Sequence, residues 1–102
     1  MALTRVALIS GGNRGIGLEI ARQMARRGII AVIGARDVAK GESAAATILQ
    51  EGYKVEVVRL DVTDGESIAK AVDDVVARHG RIDILVNNAA ILIDGPGGFK
   101  SS

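Results

Sequence analysis

The stretch that decides the fold is the glycine-rich turn Ser10-Gly11-Gly12-Asn13-Arg14-Gly15-Ile16-Gly17. It follows a short apolar run and precedes apolar residues at helical spacing. Gly11 permits a tight turn, Gly15 lets the backbone approach a pyrophosphate, and Gly17 lets the helix pack closely on the strand. The free amides of the first helical turn would face the anion. The order of strand, glycines and helix therefore predicts a nucleotide-binding site rather than a mere connection.

On both sides of this turn, short apolar runs alternate with helical patterns. Periodicity and breaker residues predict strands over 5–9, 29–33, 54–60 and 82–86, and helices over 15–27, 38–50 and 63–79. Connections this short imply right-handed crossovers. The pattern predicts an α/β fold with a doubly wound parallel sheet in the order 3-2-1-4, with the third strand at an edge.

The helix ends and helix faces carry their own predictions. Thr63 and Glu66 have the spacing of a capping box that opens the third helix, and Asp37 is placed to cap the second. His79 falls in the last turn of the third helix, where a histidine is routine and no functional role is expected. The apolar stripes expected to form the core are Ile16, Ile20 and Met24 in the first helix and Ile68, Val72, Val75 and Val76 in the third.

Composition narrows the class of protein. The chain has 102 residues, of which 48% are hydrophobic and only 2% aromatic, a composition typical of a parallel sheet buried by helices on both faces. A net charge of +1 gives no reason to expect nucleic acid or an anionic membrane as a partner. Without cysteine there is no disulfide framework and no thiolate metal site, and no metal ligands are assigned. We expect a soluble, cytoplasmic protein, because neither a signal peptide nor a membrane span is evident.

The glycine spacing, Gly-x-x-x-Gly-x-Gly, resembles that of the classical short-chain dehydrogenase/reductase family, whose first motif has threonine where this chain has Ser10. The resemblance extends over residues 1–102, and the stretches 11–17 and 35–37 are most similar to carbonyl reductases. It implies a Rossmann-type fold, of which this chain is the N-terminal, cofactor-binding portion. It also implies hydride transfer between a nicotinamide cofactor and a small-molecule carbonyl or alcohol.

Cofactor choice is predicted from the end of the second strand. An NAD site has an acidic residue there to bind the ribose 2′-hydroxyl, whereas this chain has Arg36. A guanidinium matches a 2′-phosphate, and Lys40 and Arg14 would add positive charge. The alternative is that these are ordinary solvated cations. The arginine at the position of the acid favours NADP(H) over NAD(H).

Two further motifs are carried over from the family. Leu60-Asp61-Val62 ends the third strand and matches an Asp-Val pair that contacts adenine, although an aspartate after a strand is usually a turn or cap residue. Asn87-Asn88-Ala89-Ala90 resembles the motif Asn-Asn-Ala-Gly. The resemblance implies that Asn87 ties the central strands together by side chain-to-backbone bonds and that Asn88 and Ala89 line the nicotinamide ribose. Ala90 adds a methyl group where the family has glycine.

The family's catalytic pair, a tyrosine followed four positions later by a lysine, has no counterpart in this sequence. Tyr53 is the only tyrosine, Val57 stands four positions on, and the site falls before the third strand. No catalytic residue is assigned, and we expect the chain alone to be inactive. It is then either the cofactor-binding part of an enzyme, a non-catalytic dinucleotide-binding module, or a non-functional fragment.

The fourth strand should be internal in a complete doubly wound sheet, with a fifth strand on its far side. The turn-forming segment 94–98 indicates that the sequence ends inside a larger domain. Ile82 and the apolar residues 84–86 would then form an open edge, and residues 91–93 would add apolar surface. We expect self-association through this edge.

Overall fold

The computed structural model describes residues 4–11 and 15–88. Strands and helices alternate as predicted, and each boundary lies within two residues of the prediction. The elements are β1 (Val6–Ser10), α1 (Gly15–Arg26), β2 (Ile30–Ala35), α2 (Val38–Gln50), β3 (Val55–Arg59), α3 (Gly65–His79) and β4 (Ile84–Asn87).

The four strands form one parallel sheet in the order β3-β2-β1-β4, which confirms the predicted Rossmann-type topology. Ser10, the last residue of β1, lies opposite Gly34 of β2 on one side and Asn87 of β4 on the other. Because the strands are parallel and in this register, their carboxyl ends and the loops that follow them meet at one edge.

Helices cover both faces of the sheet. α1 and α2 pack on one face and α3 on the other, in two separate apolar clusters. The helix surfaces that touch the sheet consist mainly of small residues. The buried positions are Gly17, Ala21 and Ala25 in α1, Gly41, Ala45 and Ile48 in α2, and Ser67, Ala71 and Val75 in α3.

The predicted core stripes were therefore wrong at three positions. Ile16 is 74% exposed, and Ile68 and Val76 are 38% and 43% exposed. The row of small residues faces the sheet and brings the helix backbone close to it, so these larger neighbours lie at the side of the contact. Ile20 and Met24 are partly buried against the first cluster, and Val75 is fully buried, as predicted.

The start of α3 also differs from the predicted capping box. Asp64, not Thr63, is the N-cap residue, and its carboxylate accepts a hydrogen bond of 3.0 Å from the Glu66 amide. Thr63 instead donates its amide and hydroxyl to Asp61. The two side chains are adjacent and both can cap, so the sequence alone did not distinguish them. The predicted end of α3 is confirmed, because Gly80 adopts φ 82° and its amide donates to the Val76 carbonyl at 2.7 Å.

β4 begins two residues later than predicted because Asp83 holds the preceding segment. Its carboxylate accepts a 2.8 Å hydrogen bond from the Val6 amide, and its own amide donates to the Val6 carbonyl at 2.8 Å. The Arg81 guanidinium, together with the Val6 amide, holds the pKa of Asp83 below its usual value. Asp83 therefore fixes where β4 joins β1.

Across residues 4–11 and 15–88, none of the helices combines the length and the apolar character needed to cross a membrane.

The close approach of α2 to the sheet can be tested with two glycines. A Cβ at Gly41 would lie 2.8 Å from Val57 Cγ1 and 2.9 Å from Ala35 Cβ, whereas a Cβ at Gly65 would meet nothing within 4 Å. We predict that Gly41→Ala lowers the free energy of unfolding by about 1–3 kcal/mol, because the helix must move away from the sheet. Gly65→Ala should be neutral or stabilise the protein by up to about 1 kcal/mol. Chemical denaturation measures both values, and equal effects of the two changes would contradict the close contact.

Candidate functional site

The glycine-rich turn lies above the carboxyl ends of β1 and β2. Gly11 adopts φ 67° and donates its amide to the Gly34 carbonyl at 3.0 Å. Gly15 opens α1 with φ 58°, and among the described residues no heavy atom outside its own helix backbone lies within 4 Å of the position that its Cβ would occupy. Both backbones are in the left-handed region that favours glycine. The first turn of α1 therefore begins beside open space. The predicted site residues Asn13 and Arg14 lie outside the described residues.

Ser10 connects the ends of β1 and β4. Its hydroxyl is buried and lies 3.2 Å from both the Val86 carbonyl and Asn87 Oδ1. Asn88 Nδ2 donates to the Gly11 carbonyl at 3.4 Å. The Asn87 side chain thus contacts the side chain of Ser10, whereas a bond to the backbone was expected. The side chain of Asn88, not that of Asn87, bonds to the backbone of the turn after β1. Ala89 and Ala90, the rest of this motif, fall outside the described residues.

Gly34 brings the end of β3 against β2, a role that sequence reasoning missed. A Cβ at this position would lie 3.0 Å from Leu60 Cβ. Leu60 is buried, and its amide donates to the Ala35 carbonyl at 3.0 Å. The close contact places Asp61 and Val62 next to the end of β2. In the sequence the glycine follows the apolar run 29–33, but only its neighbour in the sheet reveals why a side chain is excluded there.

Asp61 has a structural role in the turn before α3. Its Oδ1 accepts from the Thr63 hydroxyl at 2.6 Å and from the Thr63 amide at 3.0 Å. These two hydrogen bonds lower the pKa of Asp61, and the charges of Arg36 and Arg59 lower it further. Asp61 is therefore a carboxylate at neutral pH. Both bonds go to Oδ1, so they leave Oδ2 available as an acceptor for a ligand.

Arg36 and Lys40 lie exposed at the junction of β2 and α2. Within the described part of the chain, neither forms a salt bridge. Asp37 caps α2 as predicted, because its Oδ1 accepts from the amides of Ala39 at 3.0 Å and Lys40 at 3.3 Å. The carboxylate between the two cations is thus engaged with the helix, and the cations face solvent.

An apolar cleft of about 170 Å³ opens below this edge on the α3 face of the sheet. Ile68 and Leu85, both exposed, form part of its wall. The other lining residues are Leu8, Ser10, Leu60, Val62, Val72 and Asn87. Three predicted site residues, Ser10, Leu60 and Val62, therefore line this apolar cavity.

Tyr53 and His79, to which no catalytic role was assigned, lie away from this edge. Tyr53 is half-buried and packs against the core cluster beneath α1 and α2. His79, in the last turn of α3, lies 2.9 Å from Glu56 Oε1 through its Nε2. Burial alone would raise the pKa of Glu56, but hydrogen bonds from His79 and Arg78 lower it. In the region that the structure describes, no group of three or more metal-ligating side chains occurs.

Comparison with known proteins shows what this arrangement is similar to. The family model of the short chain dehydrogenases matches residues 5–101. Carbonyl reductase [NADPH] 1 of Sus scrofa is 42% identical over 100 residues, which are 94% of this chain and 34% of that protein.

Solved structures agree with the sequence comparison. Menthone neomenthol reductase from Mentha piperita superposes with a TM-score of 0.80 at 39% identity, covering 85% of this chain and 32% of that one. A metagenomic short-chain oxidoreductase in complex with NADP has a TM-score of 0.75 at 37% identity, covering 81% and 38% of the two chains. The chain thus spans about a third of the length of the relatives it matches.

Proposed function

This chain belongs to the short-chain dehydrogenase family, and on that premise we propose that it is the NADP(H)-binding portion of an oxidoreductase. The proposed reaction is hydride transfer between the cofactor and a small-molecule carbonyl or alcohol. The observation that carries the choice of cofactor is Arg36, exposed directly after β2, where an NAD site has an acidic residue. Asp37, the nearest acid, is engaged in capping α2.

Different residues of this chain would bind different parts of the cofactor. The open space beside Gly15 and the amides at the start of α1 suit the pyrophosphate, with Ile16 and Gly17 in the same turn. Asp61 suits the adenine amino group, since its ionised carboxylate keeps one oxygen available. Asn88 would lie beside the ribose. When bound, the nicotinamide supplies or accepts the hydride.

The relatives support the same cofactor. One sequence relative is named a carbonyl reductase [NADPH], and one structural relative was solved with NADP. The match to the carbonyl reductase covers 94% of this chain, and the match to the NADP complex covers 81%. We therefore assign residues 1–102 to a single cofactor-binding unit.

A non-catalytic dinucleotide-binding module is the second candidate. It is favoured by the placement of Tyr53, which packs into the core instead of pointing toward the nucleotide edge. No Tyr-x-x-x-Lys pair occurs in the 102 residues. A positioned proton donor is needed for carbonyl reduction, so cofactor binding without turnover is the expected behaviour of this chain in isolation.

The first functional prediction concerns cofactor preference. In the full-length protein, Arg36→Asp should reverse a preference for NADPH over NADH, because it removes a phosphate contact and adds an acceptor for the ribose 2′-hydroxyl. A charge-assisted contact is worth roughly 1.5–3 kcal/mol, or about 10- to 150-fold in affinity. Steady-state kinetics with both cofactors measures the ratio. Arg27→Asp, an exposed arginine after α1 at the opposite edge of the sheet, is the matched control and should leave the ratio unchanged. Equal use of both cofactors before and after Arg36→Asp would refute the assignment.

The second prediction concerns activity. The 102-residue chain should oxidise NADPH no faster than the buffer alone with a panel of aldehydes, ketones and quinones. Absorbance at the NADPH band measures the rate. Turnover that co-purifies with the chain and disappears in Gly15→Trp, which fills the space beside the glycine turn, would show that a catalytic group exists within these residues.

The third prediction concerns self-association through β4. β4 pairs with β1 on one side, and its Leu85 is 65% exposed. An open edge with apolar side chains favours pairing with a second chain. Size-exclusion chromatography with light scattering should show concentration-dependent dimers or larger species of the 102-residue chain. Leu85→Lys should reduce the share of these larger species. Leu49→Lys, the same substitution at an exposed leucine of α2, should not. A concentration-independent monomer with a cooperative melt would contradict this prediction.

A further inference from the structure

Arg59 is the last residue of β3 and has no role in the motifs considered so far. It lies opposite Ala35, the residue before Arg36, in the parallel pairing of β2 and β3. Neighbouring strands are about 4.8 Å apart, so the backbones that carry Arg36 and Arg59 are adjacent. Arg59 is exposed, and none of the salt bridges within the described residues involves it.

The face on which Arg59 lies follows from Val57. Val57 packs against Gly41 in the first turns of α2. Side chains two residues apart in a strand share a face, so Arg59 lies on the α2 side of the sheet, further toward the carboxyl edge. α2 begins at that same edge, with Lys40 exposed in its first turn. The backbone positions of Arg36, Lys40 and Arg59 therefore lie at one corner of the sheet.

The charges at this corner are unequal. Among the described residues, three cations, Arg36, Lys40 and Arg59, stand near two carboxylates, Asp37 and Asp61. Both arginines are close enough to Asp61 for their charges to favour its ionised form, in addition to the larger effect of the Thr63 hydrogen bonds on its pKa. Without Arg59 the described side chains at this corner would sum to zero charge, and an anion would gain little from them.

The start of α2 gives little help to an anion. Asp37 accepts from the amides of Ala39 and Lys40, the groups that a phosphate would otherwise use at a helix N-terminus. Asp37 also places a negative charge beside the site. A phosphate at this corner must therefore be held by cationic side chains, and a third cation offsets the charge of the cap.

We propose that Arg59 is a further cation for the 2′-phosphate of NADP(H), and so a residue that determines cofactor specificity. This inference rests on the proposed function of the site. Arg59 would approach the phosphate from the β3 side, while Arg36 approaches from the end of β2 and Lys40 from α2. Its guanidinium offers several donors in a fixed plane, which suits a phosphate whose other oxygens are taken by Arg36.

The test is a binding measurement by isothermal titration calorimetry on the full-length protein, with NADP+ and NAD+ as separate probes. Arg59→Gln should weaken NADP+ binding about tenfold, the loss of one charge-assisted contact at a solvent-exposed site, and leave NAD+ binding unchanged. Arg59→Lys should restore most of the NADP+ affinity because it restores the charge. Arg27→Gln, at the opposite edge of the sheet, should change neither affinity.

The binding data distinguish a wrong role for Arg59 from a wrong choice of cofactor. If the wild-type protein binds NADP+ no better than NAD+, the proposed cofactor is wrong and Arg59 has no phosphate to bind. If the wild-type protein prefers NADP+ and Arg59→Gln leaves that preference intact, Arg59 is a solvated cation and only this inference fails. An equal loss of affinity for both probes would assign Arg59 a structural role and also overturn the inference. Thermal melts of the variants check that the fold is retained.

Discussion

The close contact between each helix and the sheet is the constraint on which the rest of the structure depends. Parallel strands must be joined by crossover connections, which in the described part of this chain are helices that pack on the sheet. This chain meets the requirement with small residues such as Gly17 and Ala21 on α1 and Gly41 on α2. A Cβ at Gly41 would lie less than 3 Å from Val57 and Ala35, so a methyl group does not fit there unless the helix or its neighbours shift. This close packing also explains how a core with almost no aromatic side chains is filled.

Close packing also sets the geometry of the site. Gly34 allows Leu60 to lie against β2, and this contact carries Asp61 to the end of the neighbouring strand. Ser10 connects β1 to β4 from within the sheet. The groups that would meet the cofactor are thus held by backbone contacts in the layer beneath them. Polar side chains at the edge also serve the fold itself, since Asp37 caps a helix and Asp61 closes a turn.

The sequence predicted the elements and their order because periodicity and glycine stops are local signals. α2 was predicted from Val38 to Gln50 and is found there. The cap of α3 could not be predicted because Thr63 and Asp64 are both competent acceptors, and the choice depends on Asp61 engaging Thr63. The role of Gly34 could not be predicted either, because it depends on a residue in another strand. For the site, the sequence placed Arg36, Asp61 and Asn88 at one edge, but it could not show which of their polar atoms the fold already uses.

Two of the three errors in the predicted core lie at the candidate site. Ile16 stands exposed in the first turn of α1 beside the open space at Gly15, and Ile68 lines the cleft beneath Val62. Periodicity identifies an apolar stripe but does not distinguish the row that faces the sheet from the row next to it. In this chain the small residues occupy the first row, so large apolar side chains remain at the surface where a ligand or another part of the protein can cover them. Departures from a locally consistent pattern are expected at functional sites. Ile16 is thus exposed in the first turn of α1, at the edge where we propose that the cofactor binds.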